Sequence, residues 1–129
     1  MNVLLDTHSF IYWIENNSAA LSPTAFTILS DKSNAIFLSL ASIWEMQIKI
    51  QIGKLKFVNY LSVVVEEQQR VNGMQLLLIL PLHIYNLSQL PLHHKDPFDR
   101  LLISQAITEG FSLLSNDTKL AAYAVPVIW

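Results

Sequence analysis

Short apolar runs, each separated from the next by a stretch of helical spacing, constrain this chain more than any other feature. The runs are Val3 to Leu5, Ala35 to Leu38, Gln75 to Ile79, Ser112 to Leu114 and Val125 to Ile128. They lack the polar alternation of a half-exposed strand, so they read as strands covered on both faces. Between them, apolar residues recur three and four apart, as in Leu40, Ile43, Trp44 and Ile48, then Leu61, Val64 and Val65, then Phe98, Leu101, Leu102 and Ala106. That is the period of an amphipathic helix. Strands alternating with helices predict an α/β fold built on a parallel sheet.

Local punctuation agrees with this reading. Helix starts are expected at Ser22-Pro23, at Asp96-Pro97 and at Asn116-Asp117, while Gly110 closes the helix before the fourth strand. A length of 129 residues and a hydrophobic content of 52% suit one domain, residues 1–129, with a continuous core. Only 14% of residues are charged and the net charge is -2, which excludes a protein that coats nucleic acid by bulk electrostatics. With no cysteine, disulfides and thiolate metal sites are ruled out. The start lacks the basic segment of a signal peptide, and Met74 to Leu82 is broken by Pro81 and falls short of the ~20 residues of a membrane span. A cytoplasmic protein without membrane contact is expected.

The acids are few and their positions are informative. Asp6 and Asp117 each follow an apolar run, and ligands of open α/β sheets collect beyond the carboxyl ends of strands. An aspartate there is also a common helix cap, and either one alone is explained by capping. Asp96, before Pro97, is the natural N-cap of the next helix. Asp99 stands in line with Leu102, Ile103 and Ala106, at the margin of a face that should be buried, and is assigned to chemistry rather than to capping. No cap or turn accounts for Glu45, in the middle of Ser42-Ile43-Trp44-Glu45-Met46; an ion pair with Lys49 four residues on is its alternative explanation. If Asp6, Glu45, Asp99 and Asp117 converge, a cation is required to offset their repulsion, and hard oxygen donors favour Mg2+ or Mn2+. Phosphodiester hydrolysis is the chemistry that follows.

At Leu4-Leu5-Asp6-Thr7, Ser42-Ile43-Trp44-Glu45, Asp96-Pro97-Phe98-Asp99-Arg100 and Leu114-Ser115-Asn116-Asp117 the chain resembles the PIN-domain ribonucleases of the VapC toxin type, over its whole length. The resemblance implies a single PIN-like domain whose parallel sheet, in strand order 3-2-1-4-5, carries helices on both faces. It further implies an Mg2+- or Mn2+-dependent endoribonuclease, with Asp6, Glu45, Asp99 and Asp117 as catalytic and metal-binding acids and Thr7, Ser39, Asp96 and Asn116 in support. The implied partners are RNA, a small VapB-like antitoxin and a second copy of the chain. A dimer surface is expected around Phe26, Ile28 and Leu29, or around Leu61, Val64 and Val65. Two positions depart from the family pattern: Ser115 where many relatives have threonine, and Asn116 where a basic residue often precedes the last acid.

With an acidic net charge, RNA must be held by local cations. Lys49, Lys54 and Lys56 form the expected phosphate-contacting patch, or else a solvated helix end. Arg100 is expected either on phosphate or on Asp96 or Asp99. His93 and His94 lie in a loop bracketed by Pro91 and Pro97, where solvation is commoner than catalysis. Trp13 and Trp44 fall on apolar helical stripes and are expected in the core. The competing functions are a PIN-like module that binds RNA or protein without cutting, and a phospho-receiver domain; the latter wants an acidic pair after the first strand, where this chain has Asp6-Thr7.

Overall fold

The computed structural model describes residues 1–17 and 19–129 and builds the expected alternation. In chain order the elements are β1 (Asn2–Leu5), α1 (Thr7–Ile14), α2 (Pro23–Ser30), β2 (Ala35–Ser39), α3 (Leu40–Gln51), α4 (Leu61–Asn72), β3 (Gln75–Leu77), α5 (Pro81–Tyr85), α6 (Pro97–Glu109), β4 (Ser112–Leu114) and β5 (Val127–Ile128). Short 3-10 turns follow α5 at Asn86–Gln89 and β4 at Thr118–Ala122. Every strand pairing is parallel and the order is β3-β2-β1-β4-β5, the order the family resemblance implies.

Successive residues of a strand face opposite sides, and both sides of this sheet are packed. Val3, Leu5, Ile36, Leu38 and Leu114 join Phe10 of α1, Leu29 of α2, Met46 of α3 and Val64 of α4 in one buried cluster. Leu4 and Leu113 face the other way, onto Leu102, Ile103 and Ala106 of α6. The sheet therefore lies between two apolar layers. Because β1 pairs with β4 in the register Leu5↔Leu114, the residues that follow them leave the sheet at the same edge. Among the described residues no helix is long and apolar enough to cross a membrane.

Several expectations change in the folded chain. The third run pairs only from Gln75 to Leu77, because its partner β2 ends at Ser39, which turns into the cap of α3. The fifth begins pairing at Val127, and the helix expected after Asp117 is a single 3-10 turn. Trp44 is not in the core: it is 60% exposed and meets Phe98 edge-on, with ring centroids 5.1 Å apart. Leu61, Val64 and Val65 are buried against the sheet, so they do not supply a dimer surface. Leu29 is buried as well, while Phe26 is half-exposed and packs on Trp13.

Candidate metal centre

The edge beyond β1 and β4 brings the first and last acids within reach of one hydroxyl. Asp6 is buried; its Oδ1 accepts the Ser9 N–H at 2.8 Å, capping α1, and its Oδ2 accepts the Ser115 hydroxyl at 2.5 Å. Ser115 Oγ in turn accepts the Asp117 N–H at 3.1 Å, while Asp117 Oδ1 caps the following turn through Lys119 N–H at 3.0 Å. Capping and gathering are thus not exclusive: each aspartate uses one oxygen as a cap. Burial pushes the Asp6 carboxyl above its ordinary value, against hydrogen bonds from Ser115 and Ser9. At Asp117 burial acts in the same direction, but the Lys119 N–H, the His94 ring and the Lys119 charge together outweigh it and hold the carboxyl below its ordinary value.

Glu45 enters from α3. It is 7% exposed, its Oε1 accepts the Thr7 hydroxyl at 2.6 Å, and its Oε2 pairs with Lys49 Nζ at 3.1 Å. The alternative ion pair with Lys49 is therefore formed. Thr7, one residue past Asp6, also lies 3.0 Å from Ser42 Oγ, so α1 and α3 are stitched together at the site.

Asp99 is where the cluster converges. Its carboxyl is pushed up from 3.8 to about 7, first by burial, then by the charges of Asp96, Asp6 and Glu45, with His94 opposing. Asp96 caps α6 through the Phe98 and Asp99 N–H groups at 2.8 and 3.0 Å. Asp117 joins through His94, whose Nε2 lies 3.0 Å from Asp117 Oδ2 and 3.1 Å from Asp99 Oδ2. A partly buried carboxyl raised by three neighbouring carboxylates fits a divalent cation, since a cation relieves the repulsion that otherwise drives protonation. The all-oxygen acid set suits a hard ion such as Mg2+ or Mn2+.

The other expected site residues are placed differently. Ser39 caps α3 and donates to Gln105 Oε1 at 2.6 Å, next to Asp6 in the β1–β2 register, and among the described residues its hydroxyl makes no hydrogen bond to the acids. Asn116 is exposed, and the supporting contacts belong to its neighbour Ser115. Lys49 is occupied by Glu45. Arg100 pairs with neither Asp96 nor Asp99; its guanidinium donates to the carbonyls of Pro91 at 2.9 Å and Leu87 at 3.3 Å and to Tyr123 Oη at 3.4 Å. Lys54 and Lys56 are exposed, but Lys56 lines a cleft with Trp13, Ile14 and Glu15, at the far end of α1 from Asp6. Eight helical residues place those ends about 12 Å apart. Ser115 and His94 are the contributors that residue type did not reveal; the available signals were their places, one two residues before Asp117 and one two residues before the cap Asp96.

A parallel sheet with acids gathered beyond the carboxyl ends of its central strands defines an α/β protein with a polar site at that edge. The chain belongs to the PIN domain family, whose sequence profile matches residues 3–126. No curated protein matches the sequence significantly. Among solved structures, the fold is similar to VapBC2 from Rickettsia felis bound to a DNA fragment from their promoter, with TM-score 0.75 and 18% identity over 99% of this chain and 98% of that one. DNA-bound VapBC from Salmonella typhimurium gives TM-score 0.70 at 12% identity, over 99% and 97% of the two chains. VapBC-5 from Mycobacterium tuberculosis, a member of the VapBC family of toxin-antitoxin systems, gives 0.59 at 12% identity, over 98% and 95%.

Proposed function

We propose that this PIN domain, taken as residues 1–129, is a metal-dependent endoribonuclease and the toxin of a toxin–antitoxin pair. The observation that carries the catalytic reading is the convergence on Asp99 of burial and the charges of Asp96, Asp6 and Glu45, which pushes its carboxyl to about 7. Groups so arranged oppose folding in the absence of a cation, and such clusters mark functional sites. Asp6, Glu45, Asp99 and Asp117 would hold Mg2+ or Mn2+. The chemistry this ion supplies when bound is to lower the pKa of a water and to offset charge on phosphate oxygens, for in-line hydrolysis of a phosphodiester bond.

The chain's own residues prepare that site. Ser115 orients Asp6, Thr7 orients Glu45, and Asp96 fixes the first turn of α6 so that Asp99 faces the cluster. Lys54 and Lys56 remain the proposed contacts for more distant phosphates of a bound RNA, and Lys119, whose field reaches Asp117, is the nearer cation. Lys49 and Arg100 serve RNA only if they leave Glu45 and the loop carbonyls. The antitoxin partner rests on the likeness in fold to chains solved as VapBC complexes. A homodimer and a cytoplasmic location are expected with it.

The test is cleavage of total RNA with end mapping. Purified protein should cut only with Mg2+ or Mn2+, and Asp6→Asn and Asp99→Asn should each abolish cutting while the fold persists. Metal-independent cutting, or full activity in both variants, overturns the proposal. RNA binding without cutting would assign the chain to the silent binding modules instead.

A further inference from the structure

Among the described residues, His94, Asp99 and Asp117 form a group whose ligand-capable atoms all lie within 4.8 Å of one another. By residue type alone His94 would be the nitrogen ligand of a cation shared with two carboxylates. Its hydrogen bonds argue otherwise. The Asp96 backbone N–H donates to His94 Nδ1 at 3.0 Å. Nδ1 must therefore offer a lone pair, which leaves Nε2 as the ring nitrogen that carries an N–H. Nε2 is then a donor, directed at Asp117 Oδ2 at 3.0 Å with Asp99 Oδ2 beside it at 3.1 Å. A protonated ring nitrogen cannot ligate a cation. Moving the proton to Nδ1 would set it against the Asp96 N–H, and Asp96 is itself held in place as the cap of α6.

The backbone that carries the ring is also held. The His94 backbone N–H donates to Tyr123 Oη at 2.8 Å, and Arg100 reaches the same oxygen at 3.4 Å while gripping the Pro91 carbonyl at 2.9 Å. Only 11% of the His94 side chain is exposed. Asp99 comes from α6 and Asp117 from the turn after β4, and no other side chain is seen to link these two carboxyls among the described residues.

We propose that His94 is a positioning residue, whose Nε2–H holds the Oδ2 atoms of Asp117 and Asp99 together across two elements, and that it is not itself a metal ligand. The inference rests on the metal-binding reading given above. It deepens that reading by separating the residue that arranges the acids from the acids that bind.

Two measurements on the full chain test it. In 15N-histidine NMR of the wild type, the Nε2–H form of His94 should be present without metal and should persist when Mg2+ is added. An Nδ1–H form in either state overturns the proposal. In calorimetric titration with Mg2+, His94→Ala should lose about 10- to 100-fold in affinity, the usual cost of removing a group that orients a ligand. His94→Gln, which can again present an N–H to the carboxylates, should recover most of that loss. Wild-type affinity in His94→Ala, or no recovery in a folded His94→Gln, overturns it. If the wild type binds neither Mg2+ nor Mn2+, the metal reading falls, and the tautomer in the metal-free protein alone decides whether His94 bridges the two carboxyls.

Discussion

Replacing Asp99 by Asn should stabilise the metal-free protein while destroying its proposed activity. The Asp99 carboxyl rises from 3.8 to about 7 on folding, through burial first and then Asp96, Asp6 and Glu45. A carboxyl raised in this way binds its proton more tightly in the folded chain, so it disfavours folding increasingly from about pH 4 to about pH 7, and fully above that. Three pKa units correspond to about 4 kcal/mol at most. Solvent reaches 20% of the side chain, and screening lowers the expected gain to about 2 kcal/mol. For a domain of this size that is roughly 7 °C in melting temperature. Thermal unfolding followed by circular dichroism in EDTA should show Asp99→Asn melting about 7 °C above wild type at pH 8, with the gap narrowing to about 3 °C at pH 5. Saturating Mg2+ should close or reverse the gap, because the ion stabilises only the chain that binds it. An Asn variant that melts at or below wild type at pH 8 without metal, or a gap that does not depend on pH, refutes the reasoning.

Glu45→Gln keeps the acceptor for Thr7 but breaks the pair with Lys49, and should lower Mg2+ affinity by about tenfold or more; unchanged affinity in calorimetry would leave Glu45 as the partner of Lys49 alone. Ser115→Ala removes both the donor to Asp6 and the acceptor for Asp117 N–H, and should cost about 1–3 kcal/mol in urea unfolding. A loss well below that range would mean that water replaces the hydroxyl. Arg100→Ala frees the carbonyls of Leu87, Leu90 and Pro91, so limited proteolysis should cut near exposed Leu92 faster than in wild type. Unaltered proteolysis with weakened RNA binding at low salt would return Arg100 to a phosphate-contacting role.

Burial of the strands was legible in their composition, because a strand covered on both faces must be apolar at every position, and Val3, Leu4 and Leu5 obey that rule. Caps were legible for the same local reason: Ser22 and Asp96 each satisfy N–H groups within three residues of themselves. Trp44 was not, since periodicity places it on the apolar stripe of α3 but cannot say that the fold covers it only with the edge contact to Phe98. Leu61, Val64 and Val65 could have packed on a second chain as well as on the sheet; only their contacts with the core decide. Strand order, too, came from the family resemblance and not from the runs themselves.

The sequence by itself determined an α/β chain with strands covered on both faces, the capping role of Asp96 and a short roster of acids that no core would bury without compensation. Tertiary structure decided how those acids meet. Ser115 lies 109 residues from Asp6 and His94 23 residues from Asp117, and no local spacing encodes such pairings. They arise because β1 and β4 are neighbours and end together, which brings separate strand ends and helix starts to one edge of the sheet. Hydroxyls and ring nitrogens carry no periodic signature, so the residues that arrange the acids became visible only when their partners were in place.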